Sequence, residues 1–106
     1  MDMRMARQTG KLDPIAPGEI LLEEFMKPLG VSRNALARDL DIPISRVSEI
    51  VRGARAITAD TALRLAAYFG TSAEMWMNLQ SAYDLRVARQ TSWPKARDRI
   101  RPRRAA

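Results

Sequence analysis

Cysteine and histidine are both absent from the 106 residues of this sequence. Without thiols the chain can form no disulfide and no zinc–thiolate site. Without imidazoles it lacks the side chain that enzymes use most often for proton transfer. The five glycines form no phosphate-binding loop. These absences argue against an enzyme, and we expect no catalytic residues, no bound metal and no cofactor.

Long apolar runs are absent as well. No segment approaches the roughly 20 consecutive apolar residues that a membrane-spanning helix requires. The N-terminal residues also contain no apolar stretch typical of a signal peptide. With 46% hydrophobic and 28% charged residues, the composition is that of a globular protein with room for one domain. We therefore expect a single-domain protein of the cytoplasm.

Charge is unevenly distributed, because the net charge of +6 comes mostly from the C-terminal end. Residues 91–106 contain six basic side chains and one acidic side chain, whereas residues 17–90 contain nine of each. Such a tail suits a polyanionic partner. Because Pro94 and Pro102 oppose a long helix, we expect 91–106 to be disordered and attracted nonspecifically to phosphates. Residues 1–16 are polar and without periodicity, and they are predicted to form a flexible arm.

The intervening residues predict an all-α protein, a compact five-helix bundle. Pro17 suits the first turn of a helix, and Pro28 with Gly30 is expected to end that helix. Serine or threonine caps and terminal glycines suggest the bounds of the others. The predicted helices are 17–26, 32–40, 43–52, 59–69 and 73–90. Inward positions on the fourth helix are predicted to be Leu63, Ala66, Ala67 and Phe69, and on the fifth Trp76, Leu79, Tyr83 and Val87.

The stretch ALARDLDIPISRVSEIVRG, from Ala35 to Gly53, contains two short helical segments separated by DIP. Asp41 tolerates the left-handed backbone conformation, and Pro43 cannot extend the preceding helix. This length pattern is typical of a helix-turn-helix, whose second helix enters the DNA major groove. A plain corner between two helices of a bundle has similar spacing, so spacing alone leaves both alternatives open.

The outward face of the third helix favours the first alternative. Once Val47, Ile50 and Val51 are assigned to the core, the remaining side chains include types that contact bases. Arginine pairs bidentately with guanine, glutamate accepts from cytosine, and an aliphatic group contacts the thymine methyl. The candidate base-contacting residues are Ile44, Ser45, Arg46, Glu49 and Arg52. The candidate phosphate-contacting residues are Ser32, Arg33, Ser48 and Arg55.

A family resemblance supports this interpretation. The stretch ALARDLDIPISRVSEIVRGARAITADTALRLAAYFG resembles the phage-repressor type of helix-turn-helix, although Asp41 stands where that pattern usually has glycine. The flanking PGEILLEEFMKPLG and the pattern W-x-N-L-Q-x-x-Y-D-L, which begins at Trp76, resemble the HigA antitoxins of type II toxin–antitoxin modules. The resemblance covers about residues 17–87. Ala16 stands where the HigA family commonly has a histidine before the proline, which is Pro17 here.

The resemblance implies a phage-repressor-like DNA-binding domain that forms a homodimer. The homodimer would bind a palindromic operator in its own promoter and would therefore be associated with the nucleoid. The resemblance also implies a cognate partner, a RelE-like mRNA-cleaving toxin. The fifth helix carries more apolar residues than one core can bury, and the predicted dimer contacts are Met77, Leu85 and Trp93. Two alternatives are a stand-alone repressor without a toxin and a helical protein-interaction module that no longer binds DNA.

Overall fold

The computed structural model describes residues 14–103, which form six helices and no strand. The predicted N-terminal arm lies outside the described residues except for its last three. The helices are α1 (Pro17–Ile20, Leu21–Met26 and Lys27–Leu29, which are consecutive), α2 (Arg33–Leu40), α3 (Ile44–Val51), α4 (Ala59–Phe69), α5 (Ala73–Gln90) and α6 (Trp93–Arg99). The all-α prediction is confirmed. Across residues 14–103, none of the helices combines the length and apolar character needed to cross a membrane.

Helix α1 continues beyond its predicted end at Met26. Its middle segment is π-helical, and the Lys27 N–H donates to the carbonyl of Leu22, five residues back. In an ordinary α-helix the ring of Pro28 would press against the carbonyl four residues earlier. The wider turn relieves that contact, so the helix passes through Pro28. It ends instead at Gly30, which adopts a left-handed conformation with φ 67°.

The corner between α2 and α3 is formed as predicted. Asp41 has φ 58° and ψ 48°, and it is the one non-glycine residue with positive φ between residues 14 and 103. Its N–H donates to the Arg38 carbonyl, and the Ile42 N–H donates to the Ala37 carbonyl at 3.0 Å. These two bonds make a Schellman motif. The motif satisfies the last carbonyls of α2 and sets the direction of α3.

The core contains the three α3 residues predicted to face inward, Val47, Ile50 and Val51. Trp76 of α5 is also fully buried, and its indole N–H donates to the Thr71 hydroxyl at 2.8 Å. The other buried hydrophobic residues are Leu21, Met26, Leu36, Ala37, Leu40, Ile42, Ile57, Ala62 and Leu65. The core therefore lies between α3 and the helices packed behind it.

Two of the four residues predicted to face inward on α4 do not, whereas Ala66 is half-buried and Phe69 packs against the core. Leu63 is 63% exposed and Ala67 is also exposed, whereas Thr61, Ala62 and Leu65 are buried. Apolar residues occur on nearly every side of this helix, so the sequence is compatible with more than one stripe. The rotation of α4 is decided by its packing against α5 and α2.

The prediction of a disordered C-terminal tail is wrong for residues 93–99, which form α6. Pro94 lies in the first turn of this helix, where a missing N–H costs nothing, so it starts the helix rather than preventing it. Trp93 lines one open pocket together with Leu85, Ala88 and Arg89 of α5. The basic residues of this segment, up to Arg103, are all exposed.

Helix α1 crosses α3 at Gly18, and the crossing depends on the absence of a side chain there. A Cβ atom added to Gly18 would overlap the carbonyl oxygen of Ile50, and it would also meet the Cα of Val51. Both obstacles are backbone atoms of α3, so neither can rotate away. Only glycine permits this approach.

We predict that Gly18→Ala lowers the free energy of unfolding by about 3 kcal/mol, the upper part of the range for overpacked cores. Urea denaturation measures this change. Gly30→Ala is the matched control: it meets open space and should cost only about 1 kcal/mol through its left-handed backbone. Equal losses for the two variants would contradict the close approach at Gly18.

Candidate nucleic-acid interface

The outward face of α3 presents the predicted base-contacting side chains at the surface. Ile44 is 42% exposed, Ser45 and Arg52 are exposed, and Arg46 and Glu49 are half-buried. The opposite face is locked in the core, so this face cannot turn inward. The helix therefore displays one continuous polar surface with a single aliphatic residue at its N-terminal end.

Arg46, the predicted guanine-contacting residue, is held from the side by α4. Its Nη1 atom lies 3.7 Å from Oδ2 of Asp60. Asp60 follows the N-cap of α4, Thr58, whose hydroxyl accepts from the Thr61 N–H. The same Asp60 oxygen accepts a hydrogen bond from Nε of Arg64 at 3.0 Å. One carboxylate therefore lies between two arginines.

Glu49, the predicted cytosine-contacting residue, is engaged by a basic neighbour. Nε of Arg55, in the loop after α3, donates to Oε1 of Glu49 at 2.7 Å. The pair connects the loop to α3 and reduces the net charge of this part of the surface. A residue predicted to contact a base is therefore bonded to one predicted to contact a phosphate.

The other predicted phosphate contacts lie around this face. The Ser32 hydroxyl accepts from the Ala35 N–H at 3.0 Å and caps α2. Arg33 is exposed at the first position of α2, and Ser48 is half-buried on α3. Within residues 14–103, neither Arg33 nor Arg52 forms an ion pair. Their positive charges are therefore uncompensated there.

Two residues of α4 that the sequence analysis missed, Arg64 and Asp60, connect this helix to the helix-turn-helix. Arg64 donates through Nη1 to the Leu40 carbonyl at 2.8 Å, at the end of α2. Its partner Asp60 lies four residues earlier, a helical ion-pair spacing visible in the sequence. What the spacing does not reveal is the contact with another helix.

Helices α2 and α4 are joined a second time. The Tyr68 hydroxyl donates to Oδ2 of Asp39 at 3.1 Å. Desolvation, followed by this hydrogen bond, raises the pKa of Tyr68 above its ordinary value. The phenol is a protonated donor at neutral pH in any case, and the raised pKa extends that state to more alkaline solution.

Gln80 is another residue that the sequence analysis missed. It is buried on α5, and its Oε1 accepts from the Ile57 N–H at 2.8 Å. Its Nε2 donates to Asp84 at 2.8 Å. Position 80 adjoins the apolar stripe of α5, and a polar residue there was the available signal. The amide fastens the segment after α3, which carries Arg55, to the body of the protein.

Comparison with known proteins agrees with this geometry. The family model described as "Helix-turn-helix" matches residues 22–76. Virulence-associated protein I of Dichelobacter nodosus is 56% identical over 80 residues, which are 76% of this chain and 74% of the relative. The structure of the Pseudomonas aeruginosa antitoxin HigA with the higBA promoter has a TM-score of 0.81 at 47% identity, covering 85% of this chain and 98% of that one. The chain belongs to the HigA family of helix-turn-helix proteins.

A second solved structure is informative about the family. The antitoxin GraA in complex with its operator matches with a TM-score of 0.83 at 42% identity, over 89% of this chain and 95% of that one. HigA-family proteins are helix-turn-helix antitoxins and regulators, not enzymes, which confirms the prediction made from the missing histidine and cysteine. Within residues 14–103, no three acidic side chains converge to hold a metal ion.

We predict that Gln80→Ala destabilises this HigA-family protein by about 2 kcal/mol, because it leaves the buried Ile57 N–H without its acceptor. Thermal or urea unfolding measures the loss. Ser81→Ala is the control on the same helix, since Ser81 is exposed, and its effect should stay within about 0.5 kcal/mol. A Gln80→Ala protein as stable as the Ser81→Ala protein would show that the amide does not fasten the loop.

Proposed function

We propose that this chain is the antitoxin of a type II toxin–antitoxin module. It binds a palindromic operator in its own promoter as a homodimer, through α3, and represses transcription of the module. It also neutralises a cognate RelE-like toxin that cleaves mRNA. Two similar proteins support the DNA-binding part, since one solved structure contains HigA with a promoter and another contains GraA with its operator.

The observation that carries this proposal is the outward face of α3. Burial of Val47, Ile50 and Val51 leaves Ile44, Ser45 and Arg46 toward the start of the helix at the surface. Recognition helices of this motif contact base edges mainly with residues near their N-terminus. The side-chain types match the groups that the major groove presents. A protein-interaction module that no longer binds DNA would have no need for this set.

Phosphate contacts follow from the arginines around the same face. Arg52, at the C-terminal end of α3, stays among the proposed base contacts, whereas Arg33 begins α2, which in this motif crosses the DNA backbone. Contacts of this kind orient the protein and contribute affinity without sequence preference. We assign Ser32, Ser48 and Arg55 to the same role.

A homodimer is proposed because one module contacts too few base pairs for operator recognition. A two-fold axis would place two α3 helices in successive major grooves, about 34 Å apart. The exposed apolar residues of the C-terminal half supply a surface for pairing. Leu85 is 52% exposed and lines a cavity of about 340 Å³ together with Ala88, Arg89 and Trp93. Met77 is also exposed, eight residues before Leu85 on α5.

The toxin partner rests on family membership. Relatives include antitoxins by name, and we extend that role to this chain, acting in the cytoplasm on nucleoid DNA. A stand-alone repressor would share the DNA chemistry and differ only in lacking the toxin. Co-purification of the chain with the product of the adjacent gene separates these two possibilities: a stable complex supports the antitoxin, and an isolated chain supports the repressor.

We predict that Arg46→Ala weakens binding to the operator by about 1–3 kcal/mol and relaxes the sequence preference. Arg33→Ala should weaken binding to all sequences alike and reduce the slope of log affinity against log salt concentration by about one. Footprinting on the upstream region, with titrations on operator and scrambled duplexes, measures both effects. The absence of any footprint at low salt would refute DNA binding. An equal loss on every duplex for Arg46→Ala would refute its role in base recognition.

We also predict that Leu85→Asp shifts the protein from dimer to monomer in analytical ultracentrifugation, because a charge would have to be buried in the apolar contact. Operator affinity should fall at the same time. Leu63→Asp is the matched control: Leu63 is equally apolar and more exposed, but it lies on α4. A Leu85→Asp protein that remains dimeric would exclude this surface as the dimer contact.

A further inference from the structure

Asp60 is the acidic residue closest to the proposed guanine-contacting side chain. Its Oδ2 atom lies 3.7 Å from Nη1 of Arg46 and 3.0 Å from Nε of Arg64. The carboxylate is 59% exposed and the Arg46 side chain 33% exposed, so solvent reaches both. The contact restrains Arg46 without burying it.

Arg64 makes the position of Asp60 dependent on the corner itself. While Nε is bonded to Asp60, Nη1 donates to the carbonyl of Leu40 and lies 3.4 Å from that of Asp41. Carbonyls at the end of a helix have no partner within the helix, and Arg64 supplies one. A continuous series of contacts therefore runs from the end of α2, through Arg64 and Asp60, to Arg46 on α3.

Whether Arg46 leaves Asp60 on binding DNA depends on the strength of the contact that replaces the ion pair. An exposed ion pair changes an equilibrium by less than about fivefold, whereas a bidentate contact with the correct base discriminates by about fivefold to a hundredfold. A guanine can therefore displace Asp60 from Arg46. A phosphate group is the same at every nucleotide, and the nearby carboxylate of Asp60 repels its negative charge.

We propose that Asp60 is a specificity-determining residue, which holds Arg46 in position and opposes its contact with phosphates until the correct base is present. This inference rests on the proposed DNA-binding function. Asp60 acts through Arg46 and is a positioning residue. Its carboxylate lowers affinity for nonspecific DNA more than affinity for the operator.

The test is Asp60→Asn, which preserves the size of the side chain and an oxygen that can accept from Arg64. Dissociation constants are measured for a duplex from the chain's own upstream region and for a scrambled duplex of equal length, at two salt concentrations. Affinity for the scrambled duplex should increase by up to about fivefold, with a smaller change on the operator. The specificity ratio should therefore fall. Unfolding measurements check that the variant is folded.

Two comparisons separate positioning from a simple change in charge. Asp39→Asn removes the same charge from α2, where Asp39 contacts Tyr68 and Arg38 and not α3, and it should leave the specificity ratio unchanged. Asp60→Glu keeps the charge but moves the carboxylate by one methylene, and it should also lower the ratio. In an Arg46→Ala background, Asp60→Asn should have no effect on the ratio.

Three results would overturn the inference. One is an equal shift on both duplexes for Asp60→Asn, matching that of Asp39→Asn. The second is a fall in the ratio that persists in the Arg46→Ala background, because the effect would then not pass through Arg46. The third is a wild-type protein without any preference for the upstream duplex. That result refutes the proposed function itself, whereas the first two leave operator binding intact.

Discussion

The close approach of Gly18 to the Ile50 carbonyl is the contact on which the rest of the interface depends. It allows α1 to lie directly against the backbone of α3, so that the inner side of α3 is closed by other helices. With Val47, Ile50 and Val51 in the core, α3 has only one face left for solvent. The polar surface follows from this packing, because a helix buried on one side can expose only the other.

Rigidity of the corner is the second requirement, because base contacts need side chains held in a fixed direction. Asp41 turns the chain in the left-handed conformation, and two backbone hydrogen bonds close the end of α2. Arg64 adds a third contact at the Leu40 carbonyl from another helix, and Gln80 fastens the segment after α3. Helix α3 is thus supported at both ends by buried or partly buried polar contacts.

Charge on this surface is balanced rather than simply positive. Glu49 pairs with Arg55, and Asp60 lies beside Arg46, while Arg33 and Arg52 stay uncompensated within the described part of the chain. A uniformly basic face would bind any phosphate backbone, since that attraction carries no sequence information. The acidic neighbours Glu49 and Asp60 offset part of the positive charge on this face.

Local chemistry in the sequence was sufficient for the cap at Ser32, the left-handed Asp41 and the bounds of α4 and α5, because those features depend on hydrogen bonds between residues a few positions apart. The outward set on α3 followed from the same periodicity. Only the tertiary structure decided the rotation of α4, the passage of α1 through Pro28, the formation of α6 and the pairing of Arg46 with Asp60. These depend on which distant residues become neighbours, and helical spacing alone carries no information about that.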